Sequence, residues 1–385
     1  MKWLKNNPLK MICLLLCFGA TALVLFVTAY AQSNNTIQGC YDNKSGVLRK
    51  VDSPNDCSKK ETPISWNIVG PQGPQGVPGP QGPPGIGAIP LGRIALLKWY
   101  DVSTVTSFPT EPGPFGVAFD GANIWVSNQA GVNNVVKISA ADGANLGSFP
   151  TGGINPRDMA FDGANIWVTN ESDATLSKIR AADGNILGIY AVGFHPVGVA
   201  FDGTNIWVSS GPIGPNGGMV SKIRVSDGAI LNSFPTGGGQ PYSVVFDGAN
   251  IWVVNNGSDS ISKIRPSDGA LLGTFYTGGV QPYAAAFDGS DIWVTNAVSG
   301  TVSKIRVTDG ANLGTFATGA NPDGVAFDGS NIWVANSFSN TLSKIRASDG
   351  VSLATLATGA NPAGVAFDGV NIWVPNNGSN SVSKY

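Results

Sequence analysis

Short apolar segments alternate with polar turns from residue 93 onward, and the whole pattern returns about every 40 residues. Each copy has four such segments, of the forms GVAFD, NIWV, TLSKIR and LGTF. Asp-Gly pairs between the segments, such as Asp328-Gly329, supply the positive φ that tight hairpins require. A period of this length with four strands is typical of a propeller blade. Seven tryptophans mark the copies: Trp125, Trp167, Trp207, Trp252, Trp293, Trp333 and Trp373.

The two ends of this region indicate how the copies are arranged. Residues 105–110, VTSFPT, match the fourth segment of a copy but precede the first FDG unit. Residues 381–385, SVSKY, match the third segment. An N-terminal strand that completes the last copy closes a ring and removes exposed sheet edges. We therefore predict an all-β fold over residues 93–385, a seven-bladed β-propeller with four-stranded antiparallel blades and the N-terminal strand in the last blade.

The repeats resemble those of the bacterial YVTN and NHL propeller families. The segment WVTN at Trp167–Asn170 and again at Trp293–Asn296 is most similar to the first of these, and the resemblance covers residues 99–385. It implies the seven-bladed fold. It implies little about function, because these families support many activities on one scaffold.

The first 31 residues have the pattern of an export signal. Lys2, Lys5 and Lys10 precede an apolar run from Met11 to Val27, and Ala29-Tyr30-Ala31 forms a small-x-small cleavage site. The run is also close to the length of a membrane span, so an uncleaved anchor is the alternative. Either way we expect an extracytoplasmic protein, secreted or held at the cell surface.

Residues 32–69 contain Cys40 and Cys57, the two cysteines that follow the predicted signal. In an exported protein such an isolated pair predicts a disulfide that closes a small, loop-rich segment. Two cysteines without a nearby histidine cannot complete a tetrahedral zinc site.

Residues 70–87, GPQGPQGVPGPQGPPGIG, place glycine at every third position. A collagen triple helix requires this period, because only glycine fits at its axis. Two interpretations remain open. The stretch is either a semi-rigid polyproline spacer or a collagen-like stem that makes the protein a homotrimer through residues 70–87.

Composition excludes some functions and explains several recurring residues. Only 12% of the chain is charged and the net charge is −2, so the basic surface of a nucleic-acid binder is missing. The tryptophans lie in segments that are apolar on both faces, which predicts packing between blades. The aspartates are too far apart to surround calcium, and no cofactor or metal site is predicted. The lysine and arginine of the SKIR segments are interpreted as a solvated blade edge.

The candidate site lies where the repeats differ, because the scaffold does not dictate those residues. The connection between blades reads T-G-x-x-P-x, and the positions flanking its proline are predicted to surround the channel mouth. The positions directly after the proline also include Phe115, Val197 and Ala363. Amides, tyrosines and charges suit recognition, although a polar loop face without a binding role is the alternative. The predicted ligand-binding residues are Asn155, Arg157, His195, Gln240, Tyr242, Gln281, Tyr283, Asn321, Asp323 and Asn361.

We therefore expect an extracytoplasmic binding or scaffold protein that presents this face to a peptide, a glycan or a small molecule. One alternative is an enzyme resembling the streptogramin lyases, seven-bladed propellers whose resemblance implies a histidine base with acidic and metal-binding helpers. The chain has a single histidine, His195, and no local catalytic motif, which argues against catalysis. The other alternative is a structural surface protein trimerised by its stem.

Overall fold

The computed structural model describes residues 36–45, 47–67, 105–211 and 217–385. The predicted export signal at 1–31 and the collagen-like stretch at 70–87 lie outside these residues. The chain divides into two units, Met1–Leu96 and Leu97–Tyr385, and each is described by itself. Within the described ranges we find no helix with the length and apolar character needed to cross a membrane.

The first unit contains a three-stranded antiparallel sheet in the order β2-β1-β3. Its strands are β1 (Thr36–Asp42), β2 (Leu48–Val51) and β3 (Glu61–Asn67), and a short 3-10 helix spans Pro54–Asp56. The predicted disulfide is confirmed, since Cys40 and Cys57 are bonded with their Cα atoms 5.4 Å apart. The prediction that this segment is rich in loops was wrong, because three paired strands form much of it. Strand pairing satisfies backbone groups that loops would leave to water, and Arg49 bridges the strands to Glu61 at 2.8 Å.

The described part of the second unit begins with β4 (Thr106–Pro109) and continues as consecutive four-stranded antiparallel sheets. We call these sheets blades and number them from the first FDG unit. Blade 1 contains β5 (Pro114–Phe119), β6 (Asn123–Asn128), β7 (Asn134–Ser139) and β8 (Asn145–Pro150). Blade 2 contains β9 (Pro156–Phe161), β10 (Asn165–Asn170), β11 (Thr175–Arg180) and β12 (Ile186–Ala191). Blade 3 contains β13 (Val199–Phe201), β14 (Asn205–Ser210), β15 (Met219–Arg224) and β16 (Ile230–Pro235).

The remaining blades follow the same plan, with one 3-10 turn at Asn256–Ser258. Blade 4 contains β17 (Pro241–Phe246), β18 (Ile251–Asn255), β19 (Ser260–Ile264) and β20 (Leu271–Tyr276). Blade 5 contains β21 (Pro282–Phe287), β22 (Asp291–Asn296), β23 (Thr301–Arg306) and β24 (Asn312–Ala317). Blade 6 contains β25 (Pro322–Phe327), β26 (Asn331–Asn336), β27 (Thr341–Arg346) and β28 (Ser352–Ala357). Blade 7 contains β29 (Ala366–Phe367), β30 (Ile372–Asn376) and β31 (Ser381–Lys384), with β4 as its fourth strand.

The blades form a closed ring around their first strands. Each first strand contacts that of the next blade, from β5 through β9, β13, β17, β21 and β25 to β29, and β29 contacts β5 again. Blade 7 is completed by the N-terminal strand, where Ser381 pairs with Pro109 and Lys384 with Thr106. The predicted all-β propeller fold is confirmed, with the N-terminal strand in the last blade, and the described residues contain seven four-stranded sheets.

The tryptophans form the core between blades, as predicted. Six are fully buried and Trp333 is 7% exposed. Trp125 of blade 1, for example, packs against Ile166 and Val168 of blade 2. Burial of these rings contributes the main stabilisation of the contacts between blades, because aromatic side chains remove large apolar areas from water.

Each FDG turn also binds its own tryptophan. In blade 6, Gly329 has φ +95°, as the turn requires. Asp328 Oδ1 accepts the amide of Asn331 at 2.6 Å, and its Oδ2 accepts Trp333 Nε1–H at 2.7 Å. The tryptophan–aspartate bond recurs in all seven blades at 2.7–2.8 Å. Burial alone raises the pKa of Asp328, but these hydrogen bonds outweigh it and hold the pKa below its usual range.

The SKIR lysines are not a solvated edge, so that prediction was wrong. Each lysine pairs in register with the tryptophan of its blade, and its Nζ lies 4.7–5.5 Å from the ring centroid. Six of the seven donate to a carbonyl of the next blade at 2.6–2.8 Å, as Lys263 does to Val307. The lysines therefore join neighbouring blades. The arginines do face solvent, as Arg346 shows in its exposed ion pair with Asp349.

Candidate functional site

The connections between blades and the loops between second and third strands lie on one face, as predicted. Backbone hydrogen bonds join them in pairs, such as Glu171 N to Asn155 O at 3.0 Å and Ser337 N to Asn321 O at 2.9 Å. The six residues before the proline all have left-handed φ values of 48–61°. This conformation favours asparagine among non-glycine residues, so the turn itself accounts for part of their identity. These six are Asn155, His195, Gln240, Gln281, Asn321 and Asn361.

The residues after the proline surround a cavity of about 230 Å³ at the mouth of the channel. Five of them are the second residue of the first strand of their blade, whereas Val197 and Ala363 lie just before β13 and β29. These first strands converge on the propeller axis. The predicted site residues therefore separate into a lining set and an outer set, because the residues before the proline do not line this cavity. The lining set is Phe115, Arg157, Val197, Tyr242, Tyr283, Asp323 and Ala363.

Below this first ring of residues, the wall consists mostly of small residues and then of aliphatic side chains. The second position is glycine in blades 1, 3, 6 and 7, but Asp158 in blade 2, Ser243 in blade 4 and Ala284 in blade 5. A Cβ at Gly116 would lie 2.1 Å from the carbonyl oxygen of Arg157, so the neighbouring blade requires glycine there. Valines such as Val117 border the deepest part. The cavity is therefore apolar at its base and polar at its entrance.

Arg157 crosses the mouth from blade 2 to blade 5. Its Nη1 donates to Glu171 Oε2 at 3.0 Å, and its Nη2 donates to the hydroxyl of Tyr283 at 2.7 Å. The guanidinium carbon lies 4.5 Å from the Phe115 ring centroid and 5.7 Å from that of Tyr242. The Tyr242 and Tyr283 rings are 4.9 Å apart, centroid to centroid. One cation thus joins four blades through an ion pair, a hydrogen bond and ring contacts.

Glu171 organises the outer edge of this site, and the sequence did not predict its role. It is 8% exposed; its Oε2 accepts Asn155 Nδ2 at 2.7 Å as well as Arg157, and its Oε1 lies 2.9 Å from His195 Nδ1. Glu171 stands in a loop where the sister repeats carry Gln, Gly, Asn, Ala or Ser. That divergence could have indicated a functional role for Glu171, since the turn does not require an acidic residue at this position.

Two carboxyl groups border the cavity itself. Asp323, a predicted site residue, accepts Asn321 Nδ2 at 3.0 Å, and its burial raises its pKa to about 7. Asp158 was not predicted, because it occupies the slot that is glycine in most repeats. It accepts the amides of Met159 at 2.8 Å and Val199 at 3.1 Å, and burial raises its pKa to about 6. Burial also raises the pKa of Tyr283, whose hydroxyl therefore stays protonated at neutral pH.

Exposed apolar side chains surround the mouth on the same face. Phe338 is 77% exposed, Phe194 66% and Val298 63%. They stand in the paired connections and loops, as the bond from Phe338 N to Ala320 O at 3.2 Å shows. Among the described residues, no group of three or more His, Cys, Asp or Glu side chains is arranged to hold a metal ion.

Comparison with known proteins identifies the fold. No family model and no curated protein matches the chain. Among solved structures, hydrazine synthase of Kuenenia stuttgartiensis aligns with a TM-score of 0.63 and 20% identity over 71% of this chain and 95% of that one. A streptogramin B lyase aligns with a TM-score of 0.61 and 19% identity over 73% of this chain and 96% of that one.

A further solved structure is a catalytically inactive virginiamycin B lyase from Staphylococcus aureus with quinupristin. It aligns with a TM-score of 0.61 and 21% identity over 73% of this chain and 98% of that one. At this level of identity the likeness establishes the architecture and leaves the activity open. The chain is a β-propeller protein with a cavity at one end of its channel.

Proposed function

We propose that this protein is an extracytoplasmic binding protein whose ligand enters the cavity at the channel mouth. The observation that carries the proposal is the composition of that cavity. Phe115, Tyr242 and Tyr283 stand there with Arg157 and Asp323, whereas the packing between blades is provided elsewhere by the tryptophans. Rigid aromatic rings beside a few polar groups are typical of ligand sites.

The surrounding face supports a ligand larger than the cavity. Phe194, Val298 and Phe338 leave more than half of their surface exposed around the mouth. Contacts with such side chains, together with a group inserted into the cavity, suit a peptide, a glycan or a small molecule. The export proposal rests on the signal-like residues 1–31.

A screen of the full chain on peptide and glycan arrays tests this proposal. The double variant Tyr242→Ala, Tyr283→Ala should lose the binding that the wild type shows. Tyr276→Ala is the matched control, because Tyr276 is 63% exposed on the outer strand β20 and should bind as the wild type does. Circular dichroism verifies that each variant is folded. If the double variant does not fold, Tyr283→Phe, which removes only the hydroxyl, replaces it. A ligand that binds the double variant as tightly as the wild type contradicts the site.

One observation favours a second function. His195 Nδ1 lies 2.9 Å from Glu171 Oε1, which orients the imidazole as a carboxylate orients a general base. Together with the likeness to lyase structures, this supports testing whether the protein consumes quinupristin, followed by mass spectrometry. Turnover that disappears in His195→Ala and persists in Tyr276→Ala would establish catalysis. Tyr276 is the control because it is exposed on the outer strand β20 and is not a predicted site residue.

A further inference from the structure

Acidic side chains outnumber cationic ones in the lining of the cavity. Asp158 and Asp323 both border it, and Arg157 is the only cationic side chain among its lining residues. Arg157 pairs with Glu171, which lies outside the lining, at 3.0 Å. Among the ion pairs formed by the described residues, none includes Asp158 or Asp323. Burial disfavours the charged form of both carboxyl groups, and the positive charge of Arg157 offsets this only in part, so a cation that enters the cavity would stabilise them further.

The walls of the cavity suit a cation as well. A positive charge is attracted to the face of an aromatic ring, and three rings, those of Phe115, Tyr242 and Tyr283, border this space. The protein's own guanidinium already lies 4.5 Å from the Phe115 centroid. The valines at the base provide apolar contact for an alkyl chain. Charge and shape therefore favour a ligand that combines a cationic head with an aliphatic part.

Arg157 does not turn the cavity into an anion site. Its Nε has no hydrogen-bond partner, which alone would suggest an acidic ligand, but this atom is buried and has almost no surface accessible to solvent. Its Nη1 and Nη2 are already bound to Glu171 and to Tyr283. An anion would reach the guanidinium only after displacing these partners, and it would also face two carboxyl groups.

We propose that the cavity binds a protonated alkyl amine, with the ammonium group paired to Asp323 at the entrance and to Asp158 deeper in the wall. The ammonium group also lies near the rings of Tyr242 and Tyr283, and the alkyl part contacts the valines of the wall. This inference rests on the proposed binding function and names the chemistry of its ligand. A free amine and the lysine side chain of a peptide share this chemistry.

Binding of three four-carbon probes to the full chain tests the charge preference. The probes are n-butylammonium, n-butanol and butyrate, measured by isothermal titration calorimetry at pH 8 and low ionic strength. Only the ammonium should bind, and Asp323→Asn should weaken its binding at least tenfold. Asp309→Asn is the matched control, since its carboxylate pairs with Arg306 on the blade edge and is 53% exposed. This variant should bind like the wild type.

A second pair of probes identifies the source of the amine. The capped pentapeptide Gly-Gly-Lys-Gly-Gly is compared with the same peptide carrying norleucine in place of lysine. Tighter binding of the lysine peptide than of n-butylammonium assigns the site to a peptide side chain, and equal or weaker binding assigns it to free amines. Both outcomes support an amine ligand.

Several results would overturn the inference. The inference is contradicted if butanol or butyrate binds as tightly as the ammonium, or if Asp323→Asn binds the ammonium as the wild type does. It is also contradicted if calcium binds in place of the amines, or if no amine binds. A neutral or acidic ligand from the arrays that is lost in the double tyrosine variant would overturn the amine assignment and leave the binding function standing. The two proposals therefore fail separately.

Discussion

The hydroxyl of Tyr283 in blade 5 accepts a hydrogen bond of 2.7 Å from Arg157 Nη2 in blade 2. The two residues are 126 positions apart in the chain and meet across the mouth of the channel. Arg157 is mostly buried, so loss of this acceptor leaves a charged donor without a partner. This contact couples the shape of the cavity to the stability of the ring.

The variant Tyr283→Phe should therefore lower the free energy of unfolding by about 1–3 kcal/mol, the usual cost of an unsatisfied buried donor. Chemical denaturation followed by fluorescence measures this. Tyr276→Phe, at an exposed tyrosine of the neighbouring blade, should change it by less than about 0.5 kcal/mol. Equal losses in both variants would show that the hydroxyl of Tyr283 has no special role.

Asp323 should make the propeller less stable as the pH rises. Its pKa is about 7 in the folded protein against 3.8 for the ordinary side chain. Between these values the folded state holds a proton that the unfolded chain has released, so stability falls with increasing pH across this window. The favourable contribution is complete below about pH 4 and is lost above about pH 7. Arg157 and Tyr283 are the charged and titratable groups that act on Asp323 most directly.

The variant Asp323→Asn removes this titration. We expect it to be about 1–3 kcal/mol more stable than the wild type at pH 8 and equal to it near pH 4, because one pKa unit corresponds to about 1.4 kcal/mol. Thermal melts at pH 4, 6 and 8 measure the difference. A constant difference across the three values would mean that the Asp323 carboxyl titrates normally.

The contribution of a turn aspartate to the free energy of unfolding should depend on whether its carboxylate accepts a hydrogen bond from a tryptophan. Asp328→Ala removes the acceptor of Trp333 Nε1–H and of two backbone amides, and it should lower the free energy of unfolding by about 2–4 kcal/mol. Asp349→Ala in the same blade removes an exposed turn carboxylate paired with Arg346, and it should destabilise the protein clearly less than Asp328→Ala does. Similar denaturation midpoints for the two variants would contradict this.

The lysines allow a matched test of the bond between blades. Lys263 donates to the carbonyl of Val307 at 2.6 Å, and its Nζ lies 5.4 Å from the Trp252 ring. Lys344 lies over Trp333 at 4.7 Å, but among the described residues it donates to no carbonyl of a neighbouring blade. Replacement by methionine keeps the aliphatic stem in both cases. Lys263→Met should therefore be less stable than Lys344→Met by about 1–2 kcal/mol in urea denaturation. The reverse order would show that the ring contact dominates.

How much of this could be predicted from the sequence depends on whether a residue repeats. Trp333 and Asp328 recur at fixed offsets, so the blades, their turns and the packing of the ring follow from periodicity alone. The lysines recur as well, and that regularity was a sign of a structural role, since a merely solvated position would vary between repeats. Their acceptor belongs to the next blade, however, and no local pattern displays it.

The candidate site follows a different rule. Tyr242 and Asp323 were found because the repeats differ after the proline, whereas Glu171 and Asp158 were missed because each replaces an ordinary loop or glycine position once. The contact between Arg157 and Tyr283 depends on the lengths of two side chains across the axis. Such a contact becomes visible only in the three-dimensional structure, because the sequence of neither repeat indicates that its residue contacts the other.

Closure of the ring depends on one short strand, and Phe108 is the residue that tests it. Its ring stacks on Trp373 at 5.7 Å between centroids, within the strand β4 that completes blade 7. Phe108→Ser should lower the melting temperature by several degrees, because the loss of a partly buried aromatic side chain costs about 2–4 kcal/mol. Val105→Ser, at a position 43% exposed beside the same strand, should leave it nearly unchanged. Deletion of residues 99–110 should have the largest effect, because it removes the fourth strand of blade 7 and exposes β31 as an unpaired edge. An unchanged melting temperature in the deletion variant would show that the ring is held without its N-terminal strand.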